Sequence, residues 1–263
     1  MIMRLRFLLA LLVSLAAFTA AAADKTDLWW NPAESGWGMT IANQGDTIFV
    51  TLYAYGADNN PTWFVGTASL ASADQGVNTY TGDWYRVTGP AYSAPTFDPA
   101  TVNATKVGTY TFREFTATAG QIAYTVNGVT YTKNVQRQTL AQNPLASGSY
   151  RGWYFSTVTG NCAGSGNSAA AINLSLANSG SSAQLGVSFT ASGGACSLTG
   201  LYAQAGRMGV LNGAWSCSNG NRGSATFSEI EAGRQGLTAR FSMTYETPGC
   251  TESGYLGTAR LGL

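Results

Sequence analysis

Apolar positions in this chain recur at every second residue. Trp37, Met39 and Ile41 share one face of an extended segment, and Ile48, Val50, Leu52 and Ala54 alternate with Phe49, Thr51, Tyr53 and Tyr55. A period of two is that of a half-buried strand. Gln44-Gly45 separates the two runs. Further strands are predicted over 62–70, 78–88, 107–117, 121–126 and 129–138. They are punctuated by Asp58-Asn59-Asn60-Pro61, by a proline-bearing loop over 89–99, and by the hairpin dipeptide Asn127-Gly128. Roughly seven or eight antiparallel strands make a small barrel or a strongly curved sandwich.

The alternation fails over 140–149 (LAQNPLASGS), where Asn143-Pro144 and Ser147-Gly148-Ser149 read as a linker. A second unit opens on Gly148-Ser149-Tyr150-Arg151-Gly152-Trp153. Its further strands are predicted over 169–176, 183–191, 196–203, 207–215, 223–230, 236–244 and 254–261, with short connections rich in Gly, Ser and Asn. At the amino end, Arg4 and Arg6 precede an apolar run over 7–18 and Ala21-Ala22-Ala23, the layout of a secretory signal. That run is too short to span a bilayer, and no later segment is long and apolar enough to do so. The expected plan is all-β: a cleaved signal peptide (1–23), a first small antiparallel barrel (24–141), a linker (142–148) and a second barrel (149–263). Export to the periplasm or the extracellular space follows.

All four cysteines fall in the second unit. An even count in an exported chain favours two disulfides. With eight up-and-down strands, each cysteine lies in or beside an odd-numbered connection, and those connections share one end of a barrel. The expected pairs are Cys196–Cys217 and Cys162–Cys250. The alternative is Cys162–Cys196 with Cys217–Cys250.

The densest aromatic stretch is Leu28-Trp29-Trp30-Asn31-Pro32-Ala33-Glu34-Ser35-Gly36-Trp37-Gly38-Met39. Asn31-Pro32 signals a turn, and Gly36 and Gly38 allow a bend or a close approach. Trp29 and Trp30 must face opposite ways if extended, so one is core and the other faces a rim, a cleft or a second layer. The stretch resembles a repeat module, W-W-N-P-x-E-S-G-W-G, of exported proteobacterial proteins to which no activity is assigned. The likeness runs on through GDTIFVTLYAYGADNNPTWFVG, VTGPAY, FDPATVNATKVGTYTF and YTVNGVTYTKNVQRQ, over roughly 27–140. It implies a secreted module and brings no catalytic residues. Such proteins often carry two copies, whereas this chain has one copy followed by a different unit. Both units also resemble lipocalin-like barrels, in which an early tryptophan lies beneath a late arginine. The pairs would be Trp29 or Trp30 with Arg137, and Trp153 with Arg260.

Chemistry narrows further. The chain has no histidine, which removes histidine triads, histidine bases and most zinc and copper sites. No Cys-x-x-Cys spacing points to a metal. A net charge of +1 supplies no field for nucleic acid. No glycine-rich loop precedes a helix, so no nucleotide cofactor is expected. Asp58-Asn59-Asn60-Pro61 reads as a turn rather than a calcium loop. Hydrolysis would need two carboxylates. Glu34, beside indole rings, is the candidate acid if its pKa is raised, with Asp27, Asp46 or Asp58 as a partner, or Glu229, Glu231, Glu246 and Glu252 in the second unit. The plainer expectation is that Glu34 caps the turn or pairs with Arg137. Lys25, Lys106 and Lys133 are expected to face solvent. No catalytic residue is assigned. The candidate ligand-binding residues are Trp29, Trp30, Glu34, Trp37 and Trp63. Three readings remain open: a binding module for a glycan or small apolar molecule, a structural or protein-interaction component of the envelope or matrix, and a carboxylate hydrolase.

Overall fold

The computed structural model describes residues 24–140, 145–162, 164–189 and 194–262. The predicted signal segment, linker positions 142–144 and the end of the strand predicted over 183–191 lie outside the described residues. The first unit contains β1 (Asp27–Trp30), β2 (Gly38–Gln44), β3 (Thr47–Tyr55), β4 (Pro61–Asp74), β5 (Val77–Thr88), β6 (Asn103–Thr116), β7 (Ala119–Val126) and β8 (Val129–Arg137). The second contains β9 (Gly148–Gly160), β10 (Gly166–Asn178), β11 (Ser182–Phe189), β12 (Ala195–Ala205), β13 (Met208–Cys217), β14 (Arg222–Ala232), β15 (Gly236–Tyr245) and β16 (Cys250–Arg260). Each set runs in sequence order and closes on itself: β1 pairs with β8, and β9 with β16. The protein is therefore all-β, two eight-stranded antiparallel barrels in tandem. No helix among the described residues is long and apolar enough to cross a membrane.

The alternation seen in the sequence decides what fills each lumen. Ile48, Val50 and Leu52 are fully buried, while Phe49, Tyr53 and Tyr55 point out. Inside the first barrel, Trp84 stacks on Tyr110 with ring centroids 4.0 Å apart, and Trp29 meets Phe112 edge-on at 5.3 Å. Leu174, Leu185, Leu198, Leu211, Phe227, Phe241 and Leu256 pack the second. Rings and branched side chains fill both interiors, as expected for barrels of eight strands.

Closure corrects one expectation and refines another. Trp29, not Trp30, lies beneath Arg137: the two are cross-strand partners, with the guanidinium 4.8 Å from the indole centroid. Register explains the choice, since Trp29 also faces buried Met39, whereas Trp30 takes the opposite face. In the second barrel Trp153 does not serve. It faces Gly257 on the outer wall and is half exposed. The ring opposite Arg260 is buried Tyr150. Arg260 also donates to the Ser147 carbonyl at 3.0 Å. The last-strand arginine thus faces an inward first-strand aromatic in both barrels, but the second ring is a tyrosine three residues earlier.

Lys25 is not solvent-facing. It is fully buried against Glu114, with Nζ–Oε2 3.1 Å. The disulfides are Cys196–Cys217, a directly opposed pair on β12 and β13, and Cys162–Cys250, which ties the end of β9 to the start of β16.

The β12–β13 turn docks on the Arg137 end of the first barrel. Gly206 N–H donates to Thr139 Oγ1 at 2.8 Å, Arg207 N–H to Asp27 Oδ2 at 3.1 Å, and Arg207 Nε to the Thr26 carbonyl at 3.0 Å. The Arg207 guanidinium also pairs with Asp24 and with Glu231 of its own barrel. Gly206 has φ +62°, and a Cβ there would lie 2.4 Å from Asp27 Oδ2. No larger residue fits this joint without displacing Asp27 from Arg137.

Candidate functional site

The Trp-Trp-Asn-Pro stretch forms a cleft on the outer wall of the first barrel. A turn follows β1, with Glu34 N–H donating to the Asn31 carbonyl at 3.0 Å and Ala33 N–H to Asn31 Oδ1 at 3.0 Å. The chain then passes through Gly36 and Gly38 into β2. A Cβ at Gly36, where φ is +121°, would touch the Tyr55 ring at 3.4 Å, and one at Gly38 would meet the Trp29 carbonyl at 3.0 Å. These two missing side chains leave a cleft of about 270 Å³ walled by Trp30, Trp37 and Tyr53. The cleft opens toward a row of rings. Gly38 lies opposite Tyr53, and Tyr53 opposite Trp63. Trp30, next to Trp29 on β1, falls across from Gly38. The row Trp30, Gly38, Tyr53, Trp63 therefore crosses four strands on the solvent side, with exposed Tyr55 beside it. Tyr53 is 50% exposed and Trp63 45%. Tyr55, 62% exposed, extends this group of outward rings. The Trp30 indole N–H is buried without an acceptor among the described residues.

Of the candidate ligand-binding residues, Trp30 and Trp63 share the outer row, while Trp37 lines the cleft and packs, partly buried, against the interior of the first barrel. Trp29 is core, 1% exposed, and donates its indole N–H to the Lys25 carbonyl at 3.0 Å. Glu34 stands at the edge, but not as an acid. Its carboxylate accepts from Lys133 Nζ at 2.7 and 2.9 Å and from the Trp37 indole N–H at 2.9 Å. The Lys133 hydrogen bond, then the Trp37 one, hold its pKa below the usual carboxylate range. A general acid needs the opposite shift. The partner is Lys133 on β8 rather than Arg137, so Lys133, expected in solvent, is instead the clamp that fixes Trp37.

The sign of that shift predicts a pH effect. A depressed folded-state pKa means that the Glu34–Lys133 contribution is complete above the unfolded carboxylate pKa and is lost as pH falls through the lower folded value. Carbon-detected NMR titration should find Glu34 ionising below exposed glutamates, and Lys133→Met should raise it toward the ordinary range, with the Trp37 hydrogen bond keeping part of the shift. A Glu34 midpoint above that range would revive the acid role.

Asp46 is exposed in the β2–β3 turn, and the other alternative carboxylates are engaged elsewhere. Asp27 holds Arg137 at 3.0 Å, and Asp58 accepts from Asn60 N–H at 3.1 Å inside its turn. Glu229 pairs with Arg240, Glu231 with Arg207 and Glu246 with Arg222. Glu252 is buried inside the second barrel and accepts hydroxyl hydrogens from Tyr154 and Tyr245. Burial, followed by the neighbouring carboxylate, pushes both phenol pKa values up, so these phenols donate and do not act as bases. No group of three or more His, Cys, Asp or Glu among the described residues is placed to hold a metal ion.

Sequence reasoning missed Tyr53 and Tyr55. The signal was present in the strict alternation of β3, which put both rings on the face opposite Val50 and Leu52. The second barrel carries its own surface rings: Phe155 stacks on Tyr255 at 5.1 Å and lies 6.3 Å from Trp153, at the β9–β16 seam. No family model matches the chain, and neither the curated proteins nor the solved structures contain a match to it.

Proposed function

We propose that the protein is an exported, non-catalytic binding module whose first barrel holds an uncharged glycan against the Trp30–Tyr53–Trp63 row. The outward row of rings over Gly38 carries this reading. A sugar presents flat patches of C–H groups to indole and phenol faces and hydroxyls to the polar rim, here Ser35 and Gln138, which line the same cleft. The filled lumens favour an outer-wall site over a lipocalin-type cavity. The candidate carboxylates other than exposed Asp46 are tied to partners, and Glu34 is held ionised by Lys133 and Trp37, which weighs against hydrolysis. The two disulfides suit an oxidising compartment, periplasmic or extracellular.

The test is intrinsic tryptophan fluorescence of the mature chain, titrated with neutral oligosaccharides and, in parallel, with small apolar compounds. Trp30→Ala and Trp63→Ala should each weaken glycan binding by about tenfold or more, a loss on the scale of one stacked ring. Saturable binding of apolar compounds alone would replace the ligand class. No response from folded protein would overturn the reading and favour a protein-contact role, for which Trp153, Phe155 and Tyr255 offer a ready surface.

A further inference from the structure

We infer that a groove farther along the outer wall of the first barrel continues the Trp30–Trp63 site, so that the ligand is an extended glycan chain and not a single sugar. This rests on the glycan reading above. The groove arises from two glycines at inward-facing positions. Gly66 alternates with buried Phe64 and Ala68 on β4, and Gly82 with buried Tyr80 and Trp84 on β5. A Cβ at Gly66 would lie 2.1 Å from the Asp83 carbonyl oxygen, and one at Gly82 2.2 Å from that of Thr67. The neighbouring strand's backbone and, at Gly66, the Tyr110 ring take the space that side chains would need, so the two strands lie close there and a hollow opens in the wall beside them. The hollow has a volume of about 840 Å³. That is within the roughly 300–1,000 Å³ of small-molecule sites.

Its walls are chemically mixed. Phe49 faces Thr67, Val65 faces Tyr85, and Asp83 faces Thr109, all with side chains on the solvent side. Asp83 accepts from Lys106 Nζ at 2.8 Å, so the groove offers hydrogen-bonding groups without a net charge. That argues against a phosphorylated or polyanionic ligand. Hydroxyls and a carboxylate in the wall are a poor match for an acyl chain. An extended peptide binds most readily by adding a strand to a free edge, and a closed barrel has none. A chain of uncharged hydroxylated rings meets all three conditions: faces for Phe49 and Tyr85, hydroxyls for the threonines and Asp83, and no charge.

The two sites are continuous. Tyr53 and Phe49 lie on one face of β3, and Trp63, Val65 and Thr67 on the same face of β4. From Trp63 to Thr67 is about 13 Å along the strand, and from Trp30 to Trp63 about 14 Å across strands. A ligand spanning both must have several sugar units.

Calorimetric titration with size-defined cello-, xylo-, malto- and chito-oligosaccharides tests this. For the series that binds, affinity should rise by about tenfold or more from the disaccharide to the hexasaccharide. Thr67→Trp, which fills the groove from an exposed strand position, and Tyr85→Ala should bring the hexasaccharide down to disaccharide affinity and leave the disaccharide unchanged. Equal affinity at every length, or a length dependence untouched by Thr67→Trp, would overturn the groove and leave the Trp30–Trp63 site standing. No binding at any length would overturn both.

Discussion

Arg137→Ala should cost the first barrel about 3–5 kcal/mol, the range for removing one partner of a buried charge pair. Arg137 is 1% exposed and lies where β8 closes on β1. Its Nε donates to the Ala117 carbonyl at 2.5 Å, and Nη2 to that of Asp24 at 2.5 Å. Nη1 reaches the Thr26 carbonyl at 3.2 Å and Asp27 Oδ2 at 3.0 Å. Its plane covers the Trp29 ring. Alanine would leave three carbonyls and a largely buried carboxylate short of donors, and would open a gap over the indole. For a domain of this size, a loss of about 3 kcal/mol lowers the melting temperature by roughly 12–24 °C. Arg137→Lys keeps the charge but not the planar fork, so it should recover only a minor part. Differential scanning calorimetry of wild type and both variants decides it. A loss under about 1 kcal/mol, or a lysine variant as stable as wild type, would show that closure rests on strand pairing alone.

The same residues show what a sequence can and cannot disclose about such a fold. A period of two sorts side chains onto two faces, and that is enough to count strands and anticipate closure. It does not say which of two adjacent tryptophans turns inward, because that depends on register. Trp29 is inside because it lies between Met39 on β2 and Arg137 on β8, and neither neighbour is close in sequence. Glu34 and Lys133 are 99 residues apart yet share a bidentate contact, since closure makes the first and last strands neighbours. Lys133 and Arg137 share the inward face of β8, so parity alone does not choose between them; position along the strand does, with Arg137 beside Trp29 and Lys133 at the Glu34 end. Lys25 looked like a surface lysine because composition around it is polar, and only the lumen reveals Glu114 as its partner.

The candidate site was half visible for a related reason. Its tryptophans stand out in a short motif, but Tyr53 arrives from the next hairpin by cross-strand pairing. The groove was not visible at all. Glycine within a strand can mark a bulge, a bend or a close approach. Gly66 and Gly82 acquire meaning only when β4 and β5 are paired and both prove to face inward. The joint between barrels is equally hidden, for Arg207 and Asp27 lie 180 residues apart.

The second barrel should depend on its cross-links unequally. Cys162–Cys250 closes a sequence separation of 88 residues and Cys196–Cys217 one of 21. In the chain-entropy view these are worth about 4.6 and 3.3 kcal/mol. Topology widens the difference. Cys196 and Cys217 staple neighbours in a hairpin that already shares continuous pairing from Cys196↔Cys217 to Ala205↔Met208. Cys162 and Cys250 staple the seam between first and last strands, where closure entropy is greatest. Paired serine variants, Cys162→Ser with Cys250→Ser and Cys196→Ser with Cys217→Ser, should therefore both lower the denaturant midpoint of the second barrel, the first pair more. The first barrel, which has no cysteine, should keep its midpoint, read through the Trp29 and Trp84 emission that dominates its core. Equal losses, or a larger loss for the hairpin pair, would mean that the unfolded chain already holds the β9–β16 seam together and that the entropic ranking does not apply. A first-barrel midpoint that moved with either pair would instead show that the Gly206–Arg207 joint couples the two barrels into one cooperative unit.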